Sequence, residues 1–155
     1  MVTDSVLRRN NMGMILCATR GGEASYPTQD AVIALAKQQG DELVFLYVVD
    51  ISFLNHTAAP LVVDVESSLE KLGQFQLVMA QERAAAQGIT AQIIVRQGQL
   101  RAELGIVAKE IGATLIVMGR SHEPDAAFEE SALQTFAADL QSETGIEVRI
   151  LETSD

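Results

Sequence analysis

The stretch Gly98 to Ser121, GQLRAELGIVAKEIGATLIVMGRS, restricts the fold more than any other part of the chain. Leu100, Leu104, Val107, Ala108 and Ile111 recur at the spacing that lines one helix face, and Thr114 to Met118 follows as a short apolar strand ending at Gly119. An amphipathic helix feeding directly into a buried strand is half of a βαβ unit. In open parallel sheets ligands bind beyond the carboxyl ends of the strands, so Gly119 and its followers stand where a phosphate would be held. Those followers are Arg120, Ser121, His122, Glu123, Pro124 and Asp125, which do not make a phosphate cradle.

The same alternation runs through the rest of the chain. Met14 to Thr19 is a first buried strand, followed by the glycine-rich turn Arg20-Gly21-Gly22-Glu23. Pro27 suits the first turn of a helix whose apolar face is Ala31, Ile33 or Ala34, Leu35 and Ala36, with Gly40 as its stop. Leu43 to Val49 is a continuous apolar run, as expected of a strand covered on both sides, and Asp50 closes it. Ile51 to Leu61, containing Asn55, His56 and Pro60, reads as a loop. A long helix from Asp64 to Gln87 follows, with Val65, Leu69, Leu72, Phe75 and Met79 on one side.

Gly88 stops that helix and Ile89 to Arg96 is a third strand. Ala126 to Thr144 is a last helix bearing Leu133, Phe136, Ala137 and Leu140, and Ile146 to Leu151 alternates apolar and polar residues, the pattern of a strand at a sheet edge with Ile146, Val148 and Ile150 on the core and Glu147, Arg149 and Leu151 outward. Strands alternating with helices predict an α/β three-layer sandwich around a five-stranded, mainly parallel open sheet. Residues 14–152 form one domain on this reading, and 1–13 a tail. There is no internal repeat, linker or low-complexity tract.

With 155 residues the chain can bury one substantial core without staples. A formal charge of −10 and only 11 Lys and Arg disfavour nucleic-acid binding, which draws its strength from neutralising phosphates. No apolar run reaches the length of a membrane span, and the N-terminal apolar stretch is too short for a signal peptide. The lone Cys17 has no partner for an internal disulfide, so a cytoplasmic location is expected.

MILCAT-R-GGEAS near the start, LVFLYVVD as second strand, and AELGIVAKEIGATLIVMG near the end together resemble a universal stress protein of the UspA type. The resemblance spans Met14 to Leu151 and is most specific in IGATLIVMG. It implies a Rossmann-like fold of the adenine-nucleotide-hydrolase kind, a stress-response role and a homodimer joined through Ile146 to Leu151. Nucleotide-binding members of that family carry an Asp after the first strand and a G-x-x-G-(nine residues)-G-[S/T] signature after the fourth. In this chain Arg20 holds the Asp position, His122 the second glycine and Glu130 the third. Val49, Met118, Gly119 and Ser131 still match, and the loop between is two residues short.

The residues themselves weigh the same way. A phosphate-cradling loop needs glycines so that backbone N–H groups can converge on the anion, and a positive field helps it. This loop offers Glu123, Asp125, Glu129 and Glu130, each costing about 1 kcal/mol beside a polyphosphate at surface-like dielectric. Arg20 alone does not offset four carboxylates. The expected function is a non-catalytic regulatory or protective stress module with no cofactor and without tight ATP binding. The alternative is an adenine-nucleotide-binding member, holding ATP or AMP, that hydrolyses slowly.

Rival chemistries find less support. Arg20 to Ser25 distantly resembles the S-G-G-x-D-S loop of ATP pyrophosphatases, but Arg replaces its Ser and Ala its Asp. A receiver domain needs clustered acids where this chain has Thr19 and Arg20. His56 and His122 have no ligands at metal spacing around them, so no metal site is expected. Ser121 lacks a His–Asp pairing, Cys17 sits in an apolar strand where a thiol is inert, and the acids from Glu123 to Glu130 suit a solvated helix start.

Overall fold

Two helix layers enclose a sheet whose central strand touches no solvent at its middle. The computed structural model describes residues 13–20, 25–50, 59–119 and 126–151, and within it the order is β1 (Met14–Ala18), α1 (Tyr26–Gln39), β2 (Glu42–Val49), α2 (Ala59–Ala86), β3 (Gln92–Gln97), α3 (Leu100–Ile111), β4 (Leu115–Gly119), α4 (Ala126–Thr144) and β5 (Glu147–Leu151). The strands lie side by side as β3-β2-β1-β4-β5, every pairing parallel. The sheet is thus wholly parallel among the described residues, as the alternating pattern predicts. The chain works outward from β1 to β3, then crosses to the other side of β1, and that reversal creates a switch point between β1 and β4.

Successive residues of each strand point to opposite faces, so one apolar strand feeds two cores. Ile15, Cys17, Leu43, Phe45 and Val117 pack with Val32, Ile33 and Ala36 of α1 and Leu77, Ala80 and Ala84 of α2. Leu16, Val44, Leu46, Ile116 and Met118 pack with Leu104, Val107 and Ala108 of α3 and Leu140 of α4. Each fully buried Leu, Ile or Phe contributes about 1.5–3 kcal/mol by leaving water, which explains the unbroken apolar runs in β1, β2 and β4. Gly40 and Gly112 close α1 and α3 in the left-handed conformation, φ 71° and 69°, where a side chain would be strained.

Three expectations change. Ala59 to Leu61, expected in a loop, belong to α2, which begins at Ala59 with Pro60 in its first turn, where its missing N–H costs nothing. In α1 the buried face is Thr28, Gln29, Val32, Ile33 and Ala36, while Ala34 is exposed and Ala31 and Leu35 are half-buried. In α2 the face on the sheet is Gly73, Leu77, Ala80 and Ala84, whereas Leu72 and Phe75 are 46% and 60% exposed. The reason is close approach. A Cβ on Gly73 would stand 2.6 Å from Cδ1 of Tyr47 on β2, so the face that lets the helix reach the sheet is the one with small residues, not the one with the largest.

At the β5 edge, Ile146 and Val148 pack on the α3/α4 core, as the alternation predicts. Leu151 does not face outward into solvent: it packs against the core on the α1/α2 side.

The two faces of α2 separate on substitution. Leu77→Ala is expected to cost about 2–5 kcal/mol, and Leu72→Ala in the same helix less than about 1 kcal/mol. Urea denaturation of the two variants checks this, and equal losses would reverse the assignment of faces.

Candidate functional site

Among the described residues the switch point is framed by Thr19 and Arg20 after β1, the start of α1 and the end of β4. Thr19 extends β1 by one step, its N–H donating to the Leu46 carbonyl at 2.9 Å. Its side chain is buried, and Thr19 Oγ1 accepts a hydrogen bond from Gln29 Nε2 at 3.2 Å. The same Gln29 nitrogen donates to Ser25 Oγ at 2.9 Å. Ser25 stands at the N-cap of α1 but makes no side-chain cap bond.

Gln29 is 1% exposed, and its Oε1 has no hydrogen-bond partner. Leaving such an acceptor unpaired costs about 1–3 kcal/mol. Turning the amide over moves the deficit to the nitrogen without removing it. A buried, half-satisfied amide therefore sits behind the switch point.

Gly119, the last residue of β4, is half-buried and faces α1. A Cβ placed on it would lie 2.3 Å from Thr28 Oγ1 and 3.1 Å from Thr28 Cβ and Cγ2. Thr28 thus occupies the space that the absent side chain leaves, and α1 rests on β4 through this contact. The glycine at this position has a packing reason that is independent of any phosphate.

Of the four matching positions, Val49 and Gly119 reach the same rim of the sheet, at the carboxyl ends of β2 and β4. Val49 is 2% exposed and its carbonyl accepts the Gly98 N–H at 2.9 Å. Met118 is buried in the α3/α4 core. Ser131 and Glu130 belong to α4, in its second turn rather than at its start. Arg20 is exposed two residues past β1. His56, Ser121, His122 and the acids from Glu123 to Asp125 lie outside the described residues.

Cys17 has no exposed surface, and burial pushes its thiol up to about 12. A protonated, enclosed thiol is neither nucleophile nor redox sensor, in line with the sequence reading. Among the described residues no three His, Cys, Asp or Glu side chains come together as a metal site, and no helix is long and apolar enough to cross a membrane. On the outer surface α1 and α2 are tied by Arg83, whose Nη2 lies 2.6 Å from Asp30 Oδ1 and whose guanidinium stands 4.1 Å over the Tyr26 ring. On the opposite side Arg101 pairs with Glu143 and holds its carboxyl below the usual range.

The polar group Thr19, Ser25, Thr28 and Gln29 is what a reading of apolar spacing misses. Its signal is present: Ser25, Thr28, Gln29, Val32, Ile33 and Ala36 share one helical stripe, and polar residues occupy the end nearest the turn.

The family model described as the universal stress protein family matches residues 12–140. The universal stress protein YxiE of Bacillus subtilis is 33% identical over 113 residues, covering 68% of this chain and 76% of its own. A universal stress protein family structure from Burkholderia pseudomallei superposes with a TM-score of 0.68 at 26% identity, over 90% of this chain and 95% of that one. A universal stress protein in complex with cAMP gives a TM-score of 0.62 at 18% identity, over 93% and 99% of the two chains.

Substitution at the switch point tests the packing contact. Gly119→Ala is expected to destabilise the fold by about 1–3 kcal/mol, and Thr28→Ala in the same chain to recover most of that loss. Additive losses in denaturant unfolding would show that the two residues do not meet. Cys17 makes a separate prediction. Its folded pKa is raised, so its contribution to stability is complete below the unfolded value of 9.0 and is lost as pH climbs toward about 12. A thiol reagent should leave the native protein unmodified and label one site per chain in denaturant.

Proposed function

We propose, because this chain belongs to the universal stress protein family, that it acts in a stress response as a non-catalytic regulatory or protective module without tight adenine-nucleotide binding. The observation that carries this reading is the side of Gly119 that meets Thr28, a contact that uses the glycine for helix packing. Arg20, His122 and Glu130, standing where nucleotide-binding members carry Asp and two glycines, support it from the sequence. The buried, unpaired Cys17 is in keeping with a reducing cytoplasm.

The second reading is an adenine-nucleotide-binding module. It is favoured by the related protein bound to cAMP and by the rim that Val49 and Gly119 share. In that case the buried Gln29 amide lies behind the site and the exposed Arg20 is a cation just past the end of β1.

A homodimer through Ile146 to Leu151 belongs to the first reading. β5 is an edge strand, as such a pairing requires, but its edge is partly blunted. The Val148 N–H donates to Gln141 Oε1 at 3.0 Å, and Arg149 pairs with Glu147 in its own strand at 2.8 Å. Charged pairs and occupied donors are how proteins keep an edge from recruiting a neighbour. An edge dimer here forms only as Gln141 releases Val148.

Titration calorimetry with ATP, ADP, AMP and cAMP separates the two readings. Dissociation constants weaker than about 10 μM, or roughly 7 kcal/mol, are expected for all four. Tighter binding of any one would overturn the first reading in favour of the second.

A further inference from the structure

Two of the three large apolar side chains that the described residues leave exposed, Leu72 and Phe75, lie on the outer face of α2; the third, Ile106, is on α3. Phe75 is 60% exposed and Leu72 46%, with Met79 half-buried beside them. Leu72, Phe75 and Met79 follow the three-then-four spacing of a seam between two packed helices. The opposite face of the same helix, Gly73, Leu77, Ala80 and Ala84, is spent on the sheet. Grouped on one helix face, they form an apolar strip that has no partner within the described chain.

The charges beside the seam say which chain fits it. Lys71 and Glu82 are exposed and stand eleven residues apart, three turns of helix, so they line the same flank. Among the described residues neither has a hydrogen-bond or ion-pair partner in its own chain. When two identical helices pair antiparallel about a two-fold axis, like flanks meet. The midpoint between Leu72 and Met79 and the midpoint between Lys71 and Glu82 fall within one residue of each other, next to Phe75. A two-fold axis at that point sets Leu72 against Met79 of the second copy, the two Phe75 rings near the axis, and Lys71 against Glu82 on both sides. The apolar and ionic patterns therefore share one centre of self-complementarity.

We propose that the exposed face of α2 is a self-association surface, on which a second copy of this chain docks its own α2 antiparallel around Phe75. The surface is independent of the nucleotide reading. It is also separate from the β5 edge, since α2 packs on β2 and β3 at the far side of the sheet.

Sedimentation equilibrium on the full chain up to about 100 μM tests it, with circular dichroism confirming that each variant is folded. Phe75→Lys should weaken association at least about tenfold, because a central aromatic anchor carries a large share of the energy of such an interface. Lys71→Glu alone and Glu82→Lys alone should each weaken association, and the double exchange Lys71→Glu with Glu82→Lys should restore it. A monomeric intact chain, or association unchanged by Phe75→Lys, would overturn the proposal, the latter leaving the β5 edge as the interface. Failure of the double exchange to restore association would overturn the antiparallel register. A cysteine at the axis gives a second readout: Phe75→Cys should oxidise to a cross-linked dimer faster than Gln74→Cys, with the buried Cys17 not competing. Equal rates at the two positions count against the proposal.

Discussion

The structure depends on covering β1 from both sides at once. Ile15, Leu16 and Cys17 have no exposed surface, and they point alternately into two cores that different helices close. A central parallel strand cannot tolerate water on either face, so α1 and α2 must seal one side and α3 and α4 the other. Close approach of the helices then becomes the limiting requirement, and the smallest side chains decide where it succeeds. Gly73 lets α2 reach Tyr47, and Gly119 lets Thr28 of α1 settle on β4.

That requirement changes what a glycine at the switch point signifies. In a nucleotide-binding domain of this topology the same position brings backbone donors to a phosphate. Here the place of that glycine's missing Cβ is filled by Thr28, and the neighbouring buried amide of Gln29 is held by Thr19 and Ser25 with one end unsatisfied. A polar group kept in that condition is a cost that the core around it must offset. The fold leaves a rim at the carboxyl ends of β2 and β4, and there Gly119 and Thr28 serve the contact between α1 and the sheet.

Much of the fold was legible because apolar runs and periodicities report burial. The β1, β2 and β4 runs announced a doubly covered sheet, the spacing from Leu100 to Ile111 announced α3, and Gly40 marked a true helix end. What failed was the choice of face. In α2 the stripe from Leu69 to Met79 is the more apolar one, yet the sheet took the stripe of Gly73, Leu77, Ala80 and Ala84, because packing distance depends on Tyr47, which is far away in sequence. Leu151 was misplaced for a related reason: at the last step of an edge strand both faces of the sheet are within reach of a core. The polar cluster behind the rim stayed hidden because Thr28 and Gln29 look like solvent-facing helix residues until Gly119 is brought against them. Two sites can be separated from the same helix stripe only once the sheet order is known.

The central claim is that the rim at Gly119 is packed for structure rather than shaped for a phosphate. The most direct measurement is the adenine-nucleotide content of the protein purified natively, released by denaturation and identified by mass spectrometry. Packing by Thr28 predicts no stoichiometric nucleotide. Recovery of about one adenine nucleotide per chain, the amount expected of a ligand retained well above its dissociation constant, would contradict it.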